Sequence, residues 1–380
     1  MKKYKLIIIT FLCSAALILS GEILVFGGNL KSIIKINNIM GIMKNEFYFD
    51  FDKDKLTDYA LTGVTLAADD PYTRYYDKEQ FQNYISSSQN SYIGIGVVLG
   101  ADDDNKYLKI YSVEKDTPSE KAGLHTGDII LEIDGNAFSA NQLNEAVELL
   151  RRKKVDTPIP IKVLRNGEEL DFTVTRESIE KHTVTSGKIN ENIGYIKIAS
   201  FDRKDKNDKN SSDTYDEFKA AADGLHEDGC EKIIIDLRNN PGGDVKVVSK
   251  IADYLLPEGV VTYTEDKKGK KNYIYSDEAC VDFEIVLLVN GGSASASEIL
   301  TGALKDYEKA KIVGTKTYGK GIVQSVYSFA DGSGMSVTTS RYFSPKGTCI
   351  HKIGIEPDYY IDSEQGERDV QLDKAVEILK

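Results

Sequence analysis

The sequence predicts an α/β core preceded by a small α+β module and a helical segment. Three observations carry this. Two continuous apolar runs, KIIIDL (232–237) and FEIVLLV (283–289), are each followed by a helical pattern, as strands buried on both faces are. Between residues 91 and 177 short alternating strands are punctuated by turn signals. From 30 to 90 the pattern is mostly helical and polar-rich. The 380 residues suit two or three domains at roughly 150 each. The expected divisions are 1–28, 29–90, 91–178 and 179–380.

The first division reads as a signal peptide or signal anchor. Lys2, Lys3 and Lys5 precede an uncharged run, LIIITFLCSAALIL (6–19). A spanning helix needs about 20 apolar residues, which this run reaches only by including ILVF (23–26). No small-x-small cleavage site with a polar start follows, which favours an uncleaved anchor. The lysines then stay cytoplasmic and the rest is exported. In the second division, Asp69-Asp70-Pro71-Tyr72-Thr73 reads as a turn followed by a helix start.

In the third, KYLKIYSV (106–113) and DIILEI (128–133) read as strands. Ser139 caps a helix running to Arg152, with an apolar stripe of Leu143, Ala146, Val147 and Leu150. Asn166-Gly167 between IKVL and LDFTV signals a hairpin. In the fourth, IGYIKIASF (193–201) opens the core, and the polar stretch 202–213 reads as an exposed loop.

Composition excludes several functions. The formal net charge is -12, and an acidic chain is a poor candidate for binding nucleic acid through phosphates, which needs clustered basic residues. Cys13, Cys230, Cys280 and Cys349 fit no zinc spacing, and His125, His182, His226 and His351 form no ligand pair. The cysteines read as free or buried thiols, and neither a metal nor another cofactor is called for.

Four segments could carry chemistry. In NGGSASASEIL (290–300) a buried strand meets a helix through small residues, so free N–H groups at the helix start could face an oxyanion. A tight connection with serine caps explains it equally well. In DLRNNPGGD (236–244) glycines could turn successive N–H groups into one cavity; taken alone, a plain strand exit is the simpler reading. In TYGKGIVQ (317–324) Lys320 sits between glycines, and Gln324 shares its face if the segment is extended. Most lysines are solvated, and a lysine is a base only when neutral. Bringing its pKa from about 10.4 to about 7.5 costs roughly 4 kcal/mol, which burial could supply. Finally, SYIGIGVVL (91–99) puts Gly94, Ile95, Gly96 and Val97 at a strand start, where backbone N–H groups could bind a terminal carboxylate.

Taken together, the segments resemble the carboxyl-terminal processing, or tail-specific, proteases, with a PDZ-like module. The resemblance rests on DPYT (70–73), GIGV (94–97), AGLHTGD (122–128), DLRNNPGG (236–243), SASASEI (293–299), YGKGIVQ (318–324) and GTCIHKIGIEPD (347–358), in that order. It implies an α/β protease core of crotonase-like ββα type with an α+β PDZ domain. It implies Ser295 as nucleophile, Lys320 as base and Gln324 as its orienting partner. The oxyanion donors it implies are the amide of Ala296 and that of Gly242 or Gly243. Gly94, Ile95, Gly96 and Val97 would bind substrate. Ser293 and Ser297 are read as structural and His351 as non-catalytic. The 202–213 insert is longer than the family leads one to expect.

The expectation is therefore a serine endopeptidase with a Ser–Lys dyad that recognises protein C-terminal tails. Its partners would be polypeptides with free C-termini and a membrane held through the anchor, with a homodimer as a candidate assembly. Its place would be the extracytoplasmic face of a bacterial cell membrane, or outside the cell. The alternative is a non-catalytic, membrane-tethered PDZ adaptor. The presence of both Ser295 and Lys320 argues against it.

Overall fold

The structure, a computed structural model, describes residues 30–87, 91–102, 104–151, 156–204, 211–362 and 368–380. The expected signal segment (1–28) lies outside the described residues. Among those described, no helix is long and apolar enough to cross a membrane. The described residues divide into two compact units, one drawn from 30–81 with 325–337, the other from 82–324 with 338–380.

The first unit holds helix α1 (Leu30–Glu46), helix α2 (Lys55–Leu66) and strand β1 (Arg74–Tyr76). No residue of α1 is buried. The Asp70 carboxylate accepts from the Tyr72 amide and the Thr73 hydroxyl, which makes the expected turn. The helix expected directly after it does not form. Residues 74–76 instead pair antiparallel with residues 334–336, and the Tyr75 hydroxyl donates to Asp58 at 2.8 Å. A partner 260 residues away is invisible to local periodicity. The helix α3 (Lys78–Ser87) starts four residues later, where Asp77 and Gln80 cap each other.

The second unit opens with β2 (Ser91–Gly94), β3 (Val97–Ala101), β4 (Leu108–Val113), α4 (Pro118–Ala122), β5 (Ile129–Ile133), β6 (Asn136–Ala137), α5 (Leu143–Arg151), β7 (Pro158–Arg165), β8 (Glu168–Thr175) and β9 (Glu177–Glu180). The sheet order is β3-β4-β5-β7-β8, so β3 is an edge, while β2 pairs with β9. Alternate residues Leu108, Ile110, Ile130, Ile133, Ile161 and Val163 face one core, closed by Ala146, Leu149 and Leu150 of α5. Ser139 caps a 3-10 turn (Ala140–Gln142) that runs into α5. Asn166 and Gly167, both at positive φ, make the β7–β8 hairpin.

The remainder comprises β10 (Val184–Lys188), β11 (Ile193–Ile198), α6 (Thr214–Glu227), β12 (Lys232–Asp236), α7 (Val245–Leu255), β13 (Gly259–Asp266), β14 (Lys271–Ser276), β15 (Glu284–Val289), α8 (Ala296–Asp306), β16 (Ala310–Gly314), β17 (Ile322–Ser328), β18 (Gly334–Phe343), β19 (Tyr359–Tyr360) and α9 (Val370–Ile378). A sheet of order β10-β11-β12-β15-β16-β19 is parallel except for β10. The apolar runs are buried on both faces. Ile233, Ile235, Leu287 and Val289 pack with α6, α7 and α8 on one face, and Ile234, Val286 and Leu288 pack with α9 on the other. Emptying a central position, as in Ile235→Ala, costs about 2–5 kcal/mol. A second sheet pairs β13 with β14 and with residues 340–343 of β18.

The polar stretch 202–213 differs from the exposed loop expected of it. Asp202, Ser211 and Asp213 are buried; Asp213 accepts from the Asp216 amide at the start of α6, and Thr214 accepts from the Asp202 amide. Both ends are thus anchored. Residues 205–210 lie outside the described residues. Cys230, Cys280 and Cys349 are unpaired thiols, and Cys13 is not among the described residues.

Candidate active site

Two strand exits of the parallel sheet meet. At the end of β15 the chain turns through residues 290–295 into α8. The Ser293 hydroxyl donates to the Leu237 carbonyl at 2.7 Å and accepts from the Asn290 amide, so this serine is structural. Ser295 follows at φ 56 and ψ −113, a conformation side chains avoid. Such a residue costs of order 1–3 kcal/mol and persists only where its surroundings hold it. They do so here on both sides. The Ser295 amide donates to Glu298 Oε2 at 2.9 Å, and its carbonyl accepts from the Tyr342 hydroxyl at 3.0 Å. The strand–turn–helix setting leaves Ser295 half-exposed among buried neighbours.

At the end of β12 the second turn is built around Asn240, which is 0% exposed. Its side-chain amide donates to the Ile198 carbonyl, and its Oδ1 accepts from the Gly242 amide, both at 2.9 Å. Its carbonyl accepts from the Ala294 amide at 3.0 Å and the Ser297 hydroxyl at 2.9 Å. One residue therefore clasps both turns. At the base, Arg238 bonds both oxygens of the buried Asp236 and also Asp369, which fixes the strand end to α9.

The two glycines are required by close approach. A Cβ on Gly242 would lie 2.8 Å from Ser295 Cβ and 2.9 Å from the Ala296 nitrogen. A Cβ on Gly243 would lie 2.2 Å from the Phe201 carbonyl oxygen. The amides differ in availability. That of Gly242 is taken by Asn240. Among the described residues, those of Gly243 and Ala296 have no acceptor. Ala296 is also the first residue of α8, where the helix dipole favours negative charge.

The lysine segment joins this site through a carboxylate the sequence reading did not single out. Glu298, 1% exposed, accepts at Oε2 from both the Ser295 amide at 2.9 Å and the Lys320 amide at 2.8 Å. At Oε1 it accepts from the Gly319 amide and the Thr317 hydroxyl. One buried carboxylate thus ties the serine backbone to the lysine backbone. A signal was present: Ser295-x-x-Glu298 is a capping-box pattern. The glycines beside Lys320 admit the 351–354 turn. A Cβ on Gly321 would lie 2.5 Å from the His351 nitrogen, and Lys352 donates to the Gly319 carbonyl. Lys320 itself is half-buried. Gln324, on β17, donates from its amide to Thr338 Oγ1 at 3.2 Å. Tyr342 was missed as well. Burial, with Glu298 and Cys349 near, pushes its hydroxyl well above a tyrosine's ordinary pKa, so it stays a donor.

In the module before the core, Gly94-Ile95-Gly96-Val97 links β2 to the edge strand β3. The Ile95 side chain is buried, so only its backbone can face a ligand. Gly96, at positive φ, packs where a Cβ would meet Thr117 at 2.3 Å. Among the described residues, the amides of Ile95 and Gly96 have no acceptor. The free side of β3 lies beside α5, the geometry of strand addition. No group of His, Cys, Asp and Glu among the described residues could hold a metal ion.

Residues 192–361 match peptidase family S41, and residues 91–175 match the PDZ domain. A probable CtpA-like serine protease of Staphylococcus aureus (strain COL) is 37% identical over 337 residues, 88% of this chain and 65% of that protein. One from Staphylococcus epidermidis is 34% identical over 339 residues, 88% of this chain and 66% of that protein. The chain thus spans about two-thirds of these relatives' length. Among solved structures, the photosystem II D1 C-terminal processing protease aligns with a TM-score of 0.52 at 28% identity, covering 88% of each chain. A putative S41 protease from Bacteroides fragilis aligns with a TM-score of 0.55 at 17% identity, over 82% of this chain and 87% of that one, a likeness of fold.

Proposed function

Since residues 192–361 belong to peptidase family S41 and residues 91–175 are a PDZ domain, we propose that the chain is a serine endopeptidase that takes polypeptides by their C-terminal tails. The observation that carries this is the strained Ser295 at the start of α8, pressed against the Pro-Gly-Gly turn. Lys320 takes the proton from the Ser295 hydroxyl, whose oxygen attacks the scissile carbonyl. The tetrahedral oxyanion is held by the amides of Ala296 and Gly243. Gly243 is favoured over Gly242 because the Gly242 amide already donates to Asn240. Lys320 returns the proton to the leaving amine, and water then releases the acyl-enzyme. Gln324 orients the amine of Lys320.

The core is of crotonase-like type, with its domain starting at 179. The PDZ domain, 91–178, pairs the edge of β3 with the tail and offers the Gly94–Val97 turn to the terminal carboxylate. Segment 1–28 directs the chain to the outer face of a bacterial cell membrane, as an anchor or a signal peptide.

The test is labelling with a fluorophosphonate alongside cleavage of a protein substrate. The wild type should label and cleave, and Ser295→Ala should do neither while still binding a tail peptide. Labelling that survives in Ser295→Ala would remove Ser295 as nucleophile.

A further inference from the structure

The chain is acidic overall, yet the β13–β14 hairpin is the reverse. Its tip reads DKKGKK, residues 266–271. Lys267, Lys268, Lys270 and Lys271 are all exposed. Of these, only Lys271 has an ion pair among the described residues, with Glu265 at 3.8 Å. The Asp266 carboxylate is occupied by the turn itself, accepting from the Lys268 and Lys270 amides. Arg341 of β18, also exposed, lies across from Glu265 in register. Five cations therefore face two carboxylates at this end of the sheet.

Aromatic rings continue the same face. Strand alternation puts Lys271, Tyr273 and Tyr275 of β14 on one side. Register places Tyr273 beside Tyr263, and Tyr263 beside Phe343. The rings form a row with centroids 4.9 Å apart at each step, and Lys271 lies over the Tyr263 ring at 4.9 Å. Tyr273 remains 44% exposed and Tyr275 63%. The opposite face carries Ile274 and Tyr342, which pack into the catalytic core. Tyr263, in the middle of the row, is 9% exposed, and β14 with its exposed tyrosines is the edge strand of the sheet.

From this face we infer a docking surface for an anionic lipid membrane. Exposed lysines on a short hairpin reach headgroup phosphates, and tyrosines with a wet hydroxyl and an apolar ring suit the membrane–water interface. A soluble acidic protein would use the lysines but leave Tyr273 and Tyr275 without a role. The Lys-flanked apolar run at 6–19 gives the same chain a second lipid-seeking element. Two weak membrane contacts on one chain reinforce each other through effective concentration. Each lysine contributes about fivefold to partitioning onto an anionic surface, so three give on the order of a hundredfold.

The chain contains no Trp, so Tyr275→Trp in the full chain installs a single reporter on the hairpin itself. It reads contact there whatever the N-terminal segment does. Vesicles of phosphatidylcholine with about one-third phosphatidylglycerol, carrying a headgroup-level quencher, should quench it, and phosphatidylcholine alone should not. Adding Lys267→Gln, Lys268→Gln and Lys270→Gln should lower the partition coefficient by roughly a hundredfold. About 0.5 M salt should do the same to the lysine-intact reporter, a check independent of how the triple variant folds. Equal quenching by both vesicle types, no quenching by either, or binding of soluble polyphosphate without lipid quenching would each overturn the proposal.

Discussion

The PDZ domain and the peptidase domain both present backbone N–H groups that have no acceptor among the described residues, and they hold them in opposite ways. In the PDZ domain the amides of Ile95 and Gly96 lie at a sheet edge, continuous with a strand that can accept a partner. The turn is held largely by main-chain bonds, Glu114 to Gly96 and Ser119 to Ile95. In the peptidase domain the amides of Ala296 and Gly243 lie on two turns joined through the Asn240 carbonyl, with the Asn240 side chain bracing one turn and the buried Glu298 carboxylate bracing the other. On the proposed function, the edge would adapt to many tails, and the two turns would fix one point in space where a charge develops and the donors must not move. Substitutions at the crossing should therefore remove chemistry, whereas those at the edge should weaken capture.

The largest effect is expected at the crossing. Gly242→Ala would drive its new methyl to within 2.8 Å of Ser295 Cβ. Losing one oxyanion donor costs about 10²–10³ in kcat, and a displaced Ser295 turn should cost at least that. Steady-state kinetics should show kcat falling with KM little changed. A KM effect with intact kcat would mean that the turn binds substrate and does not serve the transition state.

Next comes Glu298→Gln, which keeps the shape and removes an acceptor. An amide nitrogen must then face either the Ser295 and Lys320 amides or the Gly319 amide and Thr317 hydroxyl. A buried donor set against donors costs about 1–3 kcal/mol. The expected readout is a thermal midpoint lowered by several degrees and kcat down by tens of fold. Unchanged kcat with a lowered midpoint would make Glu298 a purely structural tie.

The same comparison explains how much the sequence made legible. The segments holding Ser295, Ala296, Gly242, Gly243 and Lys320 stood out because each sets small residues beside a buried apolar strand, but the roles expected of the individual residues came only from the family resemblance. The parallel sheet was legible from the same apolar strands. Asn240 and Tyr342 were not, since their roles are contacts to residues 42 to 57 positions away and no local pattern marks such a contact. The strand β1 was missed on the same ground. The lysine tip at 267–271 was not singled out in the sequence, and its aromatic neighbours share a face only through strand register.

At the edge the effects should be smaller and confined to capture. On the proposed function, a substrate whose C-terminal carboxylate is amidated would lose charge-assisted bonds to the Gly94–Val97 turn. Charged hydrogen bonds are worth about 1.5–3 kcal/mol, so kcat/KM should fall roughly ten- to a hundredfold. The loss should appear in KM. If kcat falls as well, the PDZ domain does more than hold the tail.

The smallest effect under ordinary conditions should come from a buried ion pair of the PDZ domain, and it should emerge with acid. Arg165 donates to both oxygens of Asp128 at 2.6 and 2.7 Å, and Asp128 is 1% exposed. Burial alone would raise that carboxyl, but the Arg165 guanidinium and the His125 amide hold it below the ordinary range. A depressed folded pKa means the unfolded chain binds the proton first. The pair's contribution is therefore full above the unfolded value of about 3.9 and is lost as pH falls through the lower folded value. Arg165 is partly exposed, so the contribution is about 1–2 kcal/mol. Lowering the pH from about 6 to below 4 should therefore weaken tail binding, followed by titration with a labelled peptide, before fluorophosphonate labelling of Ser295 declines. Asp128→Asn should flatten that acid dependence of binding. If labelling and tail binding fail together on acidification, the two domains lose their structure as one cooperative unit, and the division between an adaptable edge and a fixed crossing does not extend to their stability.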